Sequence, residues 1–223
     1  MSRSASAFLI PDNHIGRATV SSIAVAHEVA LMGGRAIACL NARDRNVLGF
    51  RRDLLTAAAY GVDEFLFVYG DRPESGSRSD DLTVRSMLAE ARAFDPSLRL
   101  GVTARPVGAL PAWKQAADAL FVQVSFDAAA LVAWRSSITF AGPVYAGVMV
   151  PPSAAMARKI SADIPQLRVP DSLVTALDGD ATAGVEFACT MIDAIRDSGA
   201  FDGVHLIPTA RYREMAARLE TLR

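Results

Sequence analysis

Short β-branched and aromatic runs alternate along this chain with longer stretches of helical periodicity, and no linker or low-complexity tract interrupts them. The runs are AFLIPDN from Ala7, RAIACLNA from Arg35, EFLFVYGD from Glu64, RLGVTARP from Arg99, ALFVQVSFD from Ala119, VYAGVMVPP from Val144 and GVHLIPTA from Gly203. Between them lie periodic segments such as SSIAVAHEVALMGG, which opens on a serine cap and closes on glycine, and NVLGFRRDLLTAAAYG, which also closes on glycine. This repetition predicts a parallel sheet covered by helices. From Ala36 to Pro73 two apolar runs each stop on a polar cluster. In parallel α/β proteins the carboxyl ends of strands are where chemistry sits, so those clusters are the first candidates for a site.

Two architectures compete, a closed (β/α)8 barrel and an open doubly wound sheet. The fingerprint GxGxxG that follows a first dinucleotide-binding strand is absent, which favours the barrel. A barrel needs eight strands, and only the polar lead MSRSAS precedes Ala7. The expected fold is therefore an α/β TIM-type barrel missing its first strand, one domain over residues 1–223. The gap would be filled by a partner chain, closed by local rearrangement or left open. An open barrel exposes strand edges, which points to a homo-oligomer or a completing protein subunit.

At 223 residues and 51% hydrophobic content the chain can bury a sizeable core. A net charge of -1 gives no field that favours nucleic acid or an anionic membrane. No apolar run has the length of a membrane span, and MSRSASAFLIPDN has too short an apolar stretch for a signal peptide, so a cytoplasmic protein is expected. Cys39 and Cys189 are too few for a disulfide framework or a structural zinc site, and no metal-ligand spacing occurs.

Several ordered segments resemble the methylenetetrahydrofolate reductase family. ARDRNVLGFRRDLLTAAAYGVDEFLFVYGDRP is similar to that family's TCRDRN, DLL-AAA-G and TGDxP sequence in order and spacing. FVQVSFDAAAL is similar to its TQxxFD segment, and YAGVMVPPSAAMARKI with VPDSLV to its AGVxP and VPDEL sequence. The resemblance implies a protein acting on folate one-carbon units, taking methylenetetrahydrofolate to methyltetrahydrofolate with NADH or NADPH as donor and FAD as carrier. The alternative is a flavin-free folate-binding or accessory subunit. It gives Asp71 the place of the aspartate beside the flavin and pterin rings, and Gln123 that of the glutamine that contacts folate. Asn41, Tyr69, Gly70 and Arg72 would line the cofactor cleft, although Asn41 and Ala42 replace the family's Thr and Cys.

The sequence departs from the family pattern in three places. No strand ending in the proton-donating glutamate precedes Ala7, so Asp12 or His14, the nearest titratable groups, are the substitutes for a general acid. The segment PVGALPAWKQAAD is shorter than the family's flavin-anchoring stretch, and Lys114 is its one cation. GDRPESGSRSDD is rich in serine and reads as a mobile loop.

Each candidate also has a plain structural reading. Asp71 could be a turn or capping aspartate. Gln123, read as lying inside an apolar strand, needs a partner for its amide from backbone or ligand. Arg43, Asp44 and Arg45 could supply a fork for a carboxylate or phosphate, yet Arg and Asp so close commonly neutralise one another. His27, His205 and both cysteines read as core residues.

Overall fold

The computed structural model describes residues 5–164 and 167–221; the start of the polar lead and the end of the last periodic run lie outside them. The chain divides into two compact units, Met1–Thr103 with Pro111–Leu120, and Ala104–Leu110 with Phe121–Arg223. All seven expected runs contain strands, and their order in the sheet is the chain order, β1 to β7. That sequential order is the one a (β/α) barrel requires, and β1 and β7 stand first and last in it.

The first unit carries β1 (Phe8–Ile10), α1 (Ser22–Leu31), β2 (Ala36–Asn41), α2 (Val47–Tyr60), β3 (Glu64–Val68), α3 (Val84–Phe94) and β4 (Arg99–Ala104, whose last residue falls in the second unit). The pairs β1–β2, β2–β3 and β3–β4 are all parallel. From Ile37 onward every residue of β2 is buried, as expected of a strand covered on both faces. Phe65 and Phe67 of β3 are also buried, and Phe67 meets Phe50 of α2 edge to face at 5.5 Å. Asn46 caps α2 by accepting from the Gly49 amide, and the helix ends at Gly61. Helix α1 differs from expectation. Ser21 makes no side-chain cap bond, and Ser22 instead donates from its buried hydroxyl to the Cys39 carbonyl at 2.6 Å, tying the helix to β2.

The amino ends of these strands are stitched by ion pairs. Glu64, 8% exposed, receives Arg35 through Nε at 2.9 Å and Nη2 at 2.6 Å, and Arg99 approaches it at 3.3 Å. These pairs tie the amino ends of the strands together, the end that in barrels serves stability.

The second unit holds α4 (Ala128–Ser136), β6 (Val144–Met149), α5 (Ala154–Asp163), α6 (Asp171–Gly179), α7 (Ala183–Ser198), β7 (Gly203–Ile207) and α8 (Tyr212–Thr221). Strand β5 (Ala119–Val122) spans the boundary between the units in sequence. β6 and β7 pair in parallel, Tyr145 to Met149 against Gly203 to Ile207. A local core of Phe126, Ala154, Ala157, Val169, Leu173 and Leu177 joins α5 and α6, with Val124 packed against it. No helix of the described residues is long and apolar enough to cross a membrane.

Candidate functional site at the carboxyl ends of the first strands

Asn41 is the last residue of β2 and is 3% exposed, so its amide must be satisfied within the chain. Its Nδ2 donates to Asp12 Oδ2 at 2.9 Å and to Asp44 Oδ2 at 2.7 Å, while its Oδ1 accepts from the amides of Arg43 at 3.0 Å and Asp44 at 3.2 Å. Nothing of that side chain is left for a ligand. Asn41 positions the loop after β2 rather than lining a cleft.

Asp12 enters the same network from the loop after β1. Its Oδ2 also accepts from the Asn41 amide at 3.0 Å and pairs with Arg45 Nη2 at 2.8 Å, and its side chain is 6% exposed. Arg45 is the hub. Its Nη1 donates to the Asn41 carbonyl at 2.8 Å, and its guanidinium approaches Asp44 at 3.6 Å and, through Nε, Asp53 of α2 at 3.3 Å. Burial pushes the Asp53 carboxyl up; Arg45 and then Arg52 oppose that rise, and Asp12 and Asp44 add to it. A polar cleft of about 270 Å3 opens beside this network, lined by Asp12, Asn13, Thr19, Asp44, Arg45 and Asp53 among others. The Arg–Asp neutralisation expected of ARDRN is therefore present for Asp44 and Arg45, and it extends to Asp12 and Asp53, which the local spacing did not reveal.

The loops after β1 and β3 are docked on each other. The Ile15 amide donates to Asp71 Oδ2 at 3.0 Å, Glu74 N donates to the Gly16 carbonyl at 2.9 Å, and Arg17 pairs with Glu74 at 3.0 Å on the surface. A Cβ at Gly16 would stand 2.0 Å from the Arg72 carbonyl oxygen, so only glycine allows this approach. Gly70, at φ +89, is equally constrained: a Cβ there would lie 2.8 Å from Asn41 Cβ. Ile15 holds φ 61, a left-handed conformation unfavourable for a β-branched residue. The serine-rich stretch expected to be mobile is tied at both ends, by Glu74 N to Gly16 and by Ser79 N to the Arg43 carbonyl at 2.7 Å.

Asp71 and Arg72 are exposed, and Tyr69 is 43% exposed. Asp71 is thus clamped through one oxygen, while its other oxygen has no hydrogen bond among the described residues. His14 is exposed within a single turn of 3-10 helix after β1. In the second unit Gln123 is not inside a strand. β5 ends at Val122, so Gln123 is the first residue beyond its carboxyl end and is exposed; its amide nitrogen in the backbone donates to the Ala104 carbonyl at 2.8 Å. Its side chain therefore needs no internal partner, which corrects the expectation drawn from the apolar run.

The remaining candidates have partners within the fold, the cysteines buried and the two histidines half-buried. His27 Nδ1 lies 2.9 Å from the Tyr60 carbonyl and its ring 4.9 Å from the Tyr60 ring. His205 meets Phe121 edge to face at 5.9 Å, and burial lowers its proton affinity. Burial pushes the Cys39 thiol up to about 12, so it is unreactive, and burial likewise raises that of Cys189. Among the described residues no group of three or more His, Cys, Asp or Glu side chains could hold a metal ion.

These features define a parallel α/β protein with a polar site built at the carboxyl ends of its first strands. No protein-family model matches the sequence, and no curated protein matches it significantly. Among solved structures, an uncharacterized protein from Clostridium thermocellum that binds two copies of 5-methyl-5,6,7,8-tetrahydrofolic acid has the same fold. Its TM-score is 0.69 at 14% identity, over 97% of this chain and 82% of that one. A chain from Aquifex aeolicus VF5 aligns with a TM-score of 0.31 at 16% identity, over 87% of this chain and 79% of its own, too loosely to carry an argument.

Proposed function

We propose that this protein binds a reduced folate at the carboxyl ends of β2 and β3 and acts on its one-carbon unit, on a barrel of the methylenetetrahydrofolate reductase type. The observation that carries the reading is Asp71. The motif GDRP falls immediately beyond β3, and the carboxylate is exposed, aimed by the Ile15 amide through one oxygen and open at the other. A carboxylate fixed in this way can accept from the N–H groups of a pterin and tune charge beside the reacting ring. The binding of methyltetrahydrofolate by a protein of the same fold supports the same ligand class.

In the reductase reading the methylene carbon's bond to N10 breaks as N10 takes a proton, a hydride from NADH or NADPH adds to that carbon, and the chain's own residues orient the folate. A flavin dinucleotide fits poorly. Lys114, the one cation of the shortened segment, donates from Nζ to the Thr103 carbonyl at 2.6 Å and lies 5.4 Å from the Trp113 ring centroid. A second reading, a folate-binding accessory protein without reductase activity, is favoured by Asp12, whose buried Oδ2 serves Asn41 and Arg45 instead of a reacting nitrogen.

Calorimetry with 5-methyltetrahydrofolate tests both readings, and anaerobic NADH or NADPH oxidation with methylenetetrahydrofolate separates them. Binding with turnover selects the reductase, binding without turnover selects the accessory protein, and absence of binding overturns both.

A further inference from the structure

The folate reading leaves one group of side chains on these loops without a role. The Arg43 guanidinium lies 4.5 Å from the centroid of the Tyr69 ring, and that of Arg78 lies 5.2 Å from it. Ser79 N, bonded to the Arg43 carbonyl at 2.7 Å, ties the two loops together beside this ring. Arg78 has a counter-ion in Asp80 at 2.7 Å. Arg43 has none among the described residues, and its Nε is buried without a hydrogen-bond partner.

The nearby carboxylates are engaged elsewhere. Asp44 serves Arg45, Asn41 and Asn13, Asp71 holds the Ile15 amide, and Glu74 pairs with Arg17. A guanidinium with one nitrogen removed from water and no anion is costly, and attraction to the tyrosine ring compensates only in part. Two guanidiniums thus lie against one ring on the loops after β2 and β3, and such groups bind planar and tetrahedral oxyanions through paired N–H donors.

We infer that Arg43 and Arg78, braced by Tyr69, clamp an oxyanion, a carboxylate or phosphate carried by the ligand of this site. The inference rests on the folate reading only for the molecule that carries the anion. The test follows the arginine Nε–H resonances of the 15N-labelled full chain, with the Arg43 signal assigned by its loss in Arg43→Lys. Inorganic phosphate and glutarate are the probes, and 5-methyltetrahydrofolate is titrated in parallel. The Arg43 signal shifts with at least one anion, and the preferred anion tells a phosphate source from a carboxylate source. Arg43→Gln, at an unchanged melting temperature, weakens binding of that anion roughly ten- to hundredfold, the cost of a lost charge-assisted hydrogen bond. Should that variant not fold, Tyr69→Leu keeps both charges, removes the brace and weakens binding in the same direction. An unmoved Arg43 signal with both anions, or wild-type affinity in the folded variants, overturns the clamp. Folate binding without anion binding removes the clamp and keeps the folate reading; anion binding without folate binding does the reverse.

Discussion

Replacing Arg45 by Met tests the network at the end of β2 most directly. The side chain of Arg45 is 12% exposed and that of its partner Asp12 is 6% exposed, so the pair is largely removed from water. Methionine keeps much of the aliphatic stem and removes the charge, leaving Asp12, Asp44 and Asp53 without their shared cation. Breaking a buried pair from one side costs about 3 to 5 kcal/mol, because the remaining charge is left uncompensated. The adjoining cleft admits water to Asp44 and Asp53, whose side chains are 22% and 19% exposed, so about 3 kcal/mol is expected. That is a large share of the roughly 5 to 15 kcal/mol that holds a folded protein together.

The pH dependence has a definite sign. Burial already raises the Asp53 carboxyl above its ordinary 3.8, and loss of Arg45 raises it further. A carboxyl with a higher pKa in the folded state binds its proton more tightly there. Its favourable contribution is complete below 3.8 and disappears as pH rises through the folded value. The stability gap between wild type and Arg45→Met should therefore be widest at neutral pH and narrow as the medium is acidified towards the ordinary aspartate value. Urea unfolding followed by far-UV circular dichroism at several pH values measures it. A gap below about 1 kcal/mol at neutral pH, the scale of an exposed ion pair, would refute the buried-hub argument. A gap that widens on acidification would refute the account of Asp53.

Other changes separate support from chemistry. Gly16→Ala drives a methyl group to within 2.0 Å of the Arg72 carbonyl, so the docked loops must part; thermal unfolding should show a loss of at least about 1 to 2 kcal/mol, and a neutral result would show that the contact is not kept in solution. Ile15→Asn relieves the left-handed strain at a side chain 63% exposed and should raise stability by about 1 kcal/mol, whereas a destabilised variant would mean that the isoleucine packs against something. Asp71→Asn keeps an acceptor for the Ile15 amide and should melt like wild type while binding folate roughly tenfold more weakly; Asp71→Ala should in addition lose about 1 kcal/mol, and unchanged affinity in both would remove Asp71 from the site. β1 ends the strand order, and the helix after it exposes Leu31 at 69% and Met32 at 65%, so light scattering should find a dimer at micromolar concentration, and a stable monomer would end the proposal of self-association.

The strands were legible because a parallel sheet buried on both faces writes itself as short continuous apolar runs, and each of the seven runs contains one. Their ends were less so. FVQVSFD alternates as a strand does through Phe126, but β5 stops at Val122, and Val124 and Phe126 are apolar because they join the local core of α5 and α6. Periodicity cannot tell which core a side chain serves, and Gln123 was misplaced for that reason. At the site, ARDRN and GDRP announced polar strand ends. The bonds from Arg45 to Asp12 and from Asp71 to Ile15 join residues far apart in sequence, and nothing local marks Asp53 as a third acid. Gly16 in HIGR likewise reads as an ordinary turn glycine, and its need appears only when the Arg72 carbonyl is in place.

The distribution of satisfied and unsatisfied groups orders the candidate residues by role. Asn41 uses both ends of its amide, Asp12 puts three donors on one oxygen, and Arg45 reaches two aspartates besides Asp12. Buried polar networks bonded this fully fix geometry, and each group committed to them is withdrawn from proton transfer. Among the described residues at these strand ends, the second oxygen of Asp71 has no hydrogen bond and the charge of Arg43, set against the Tyr69 ring, has no counter-ion. On the folate proposal, an acceptor and a cation at the strand ends would meet a polar heterocycle with an anionic tail, held by an inner network that contributes rigidity. Asp12 cannot leave this network without unpairing Arg45, so the reductase proposal would have to draw its proton from an exposed group such as His14 or from the solvent.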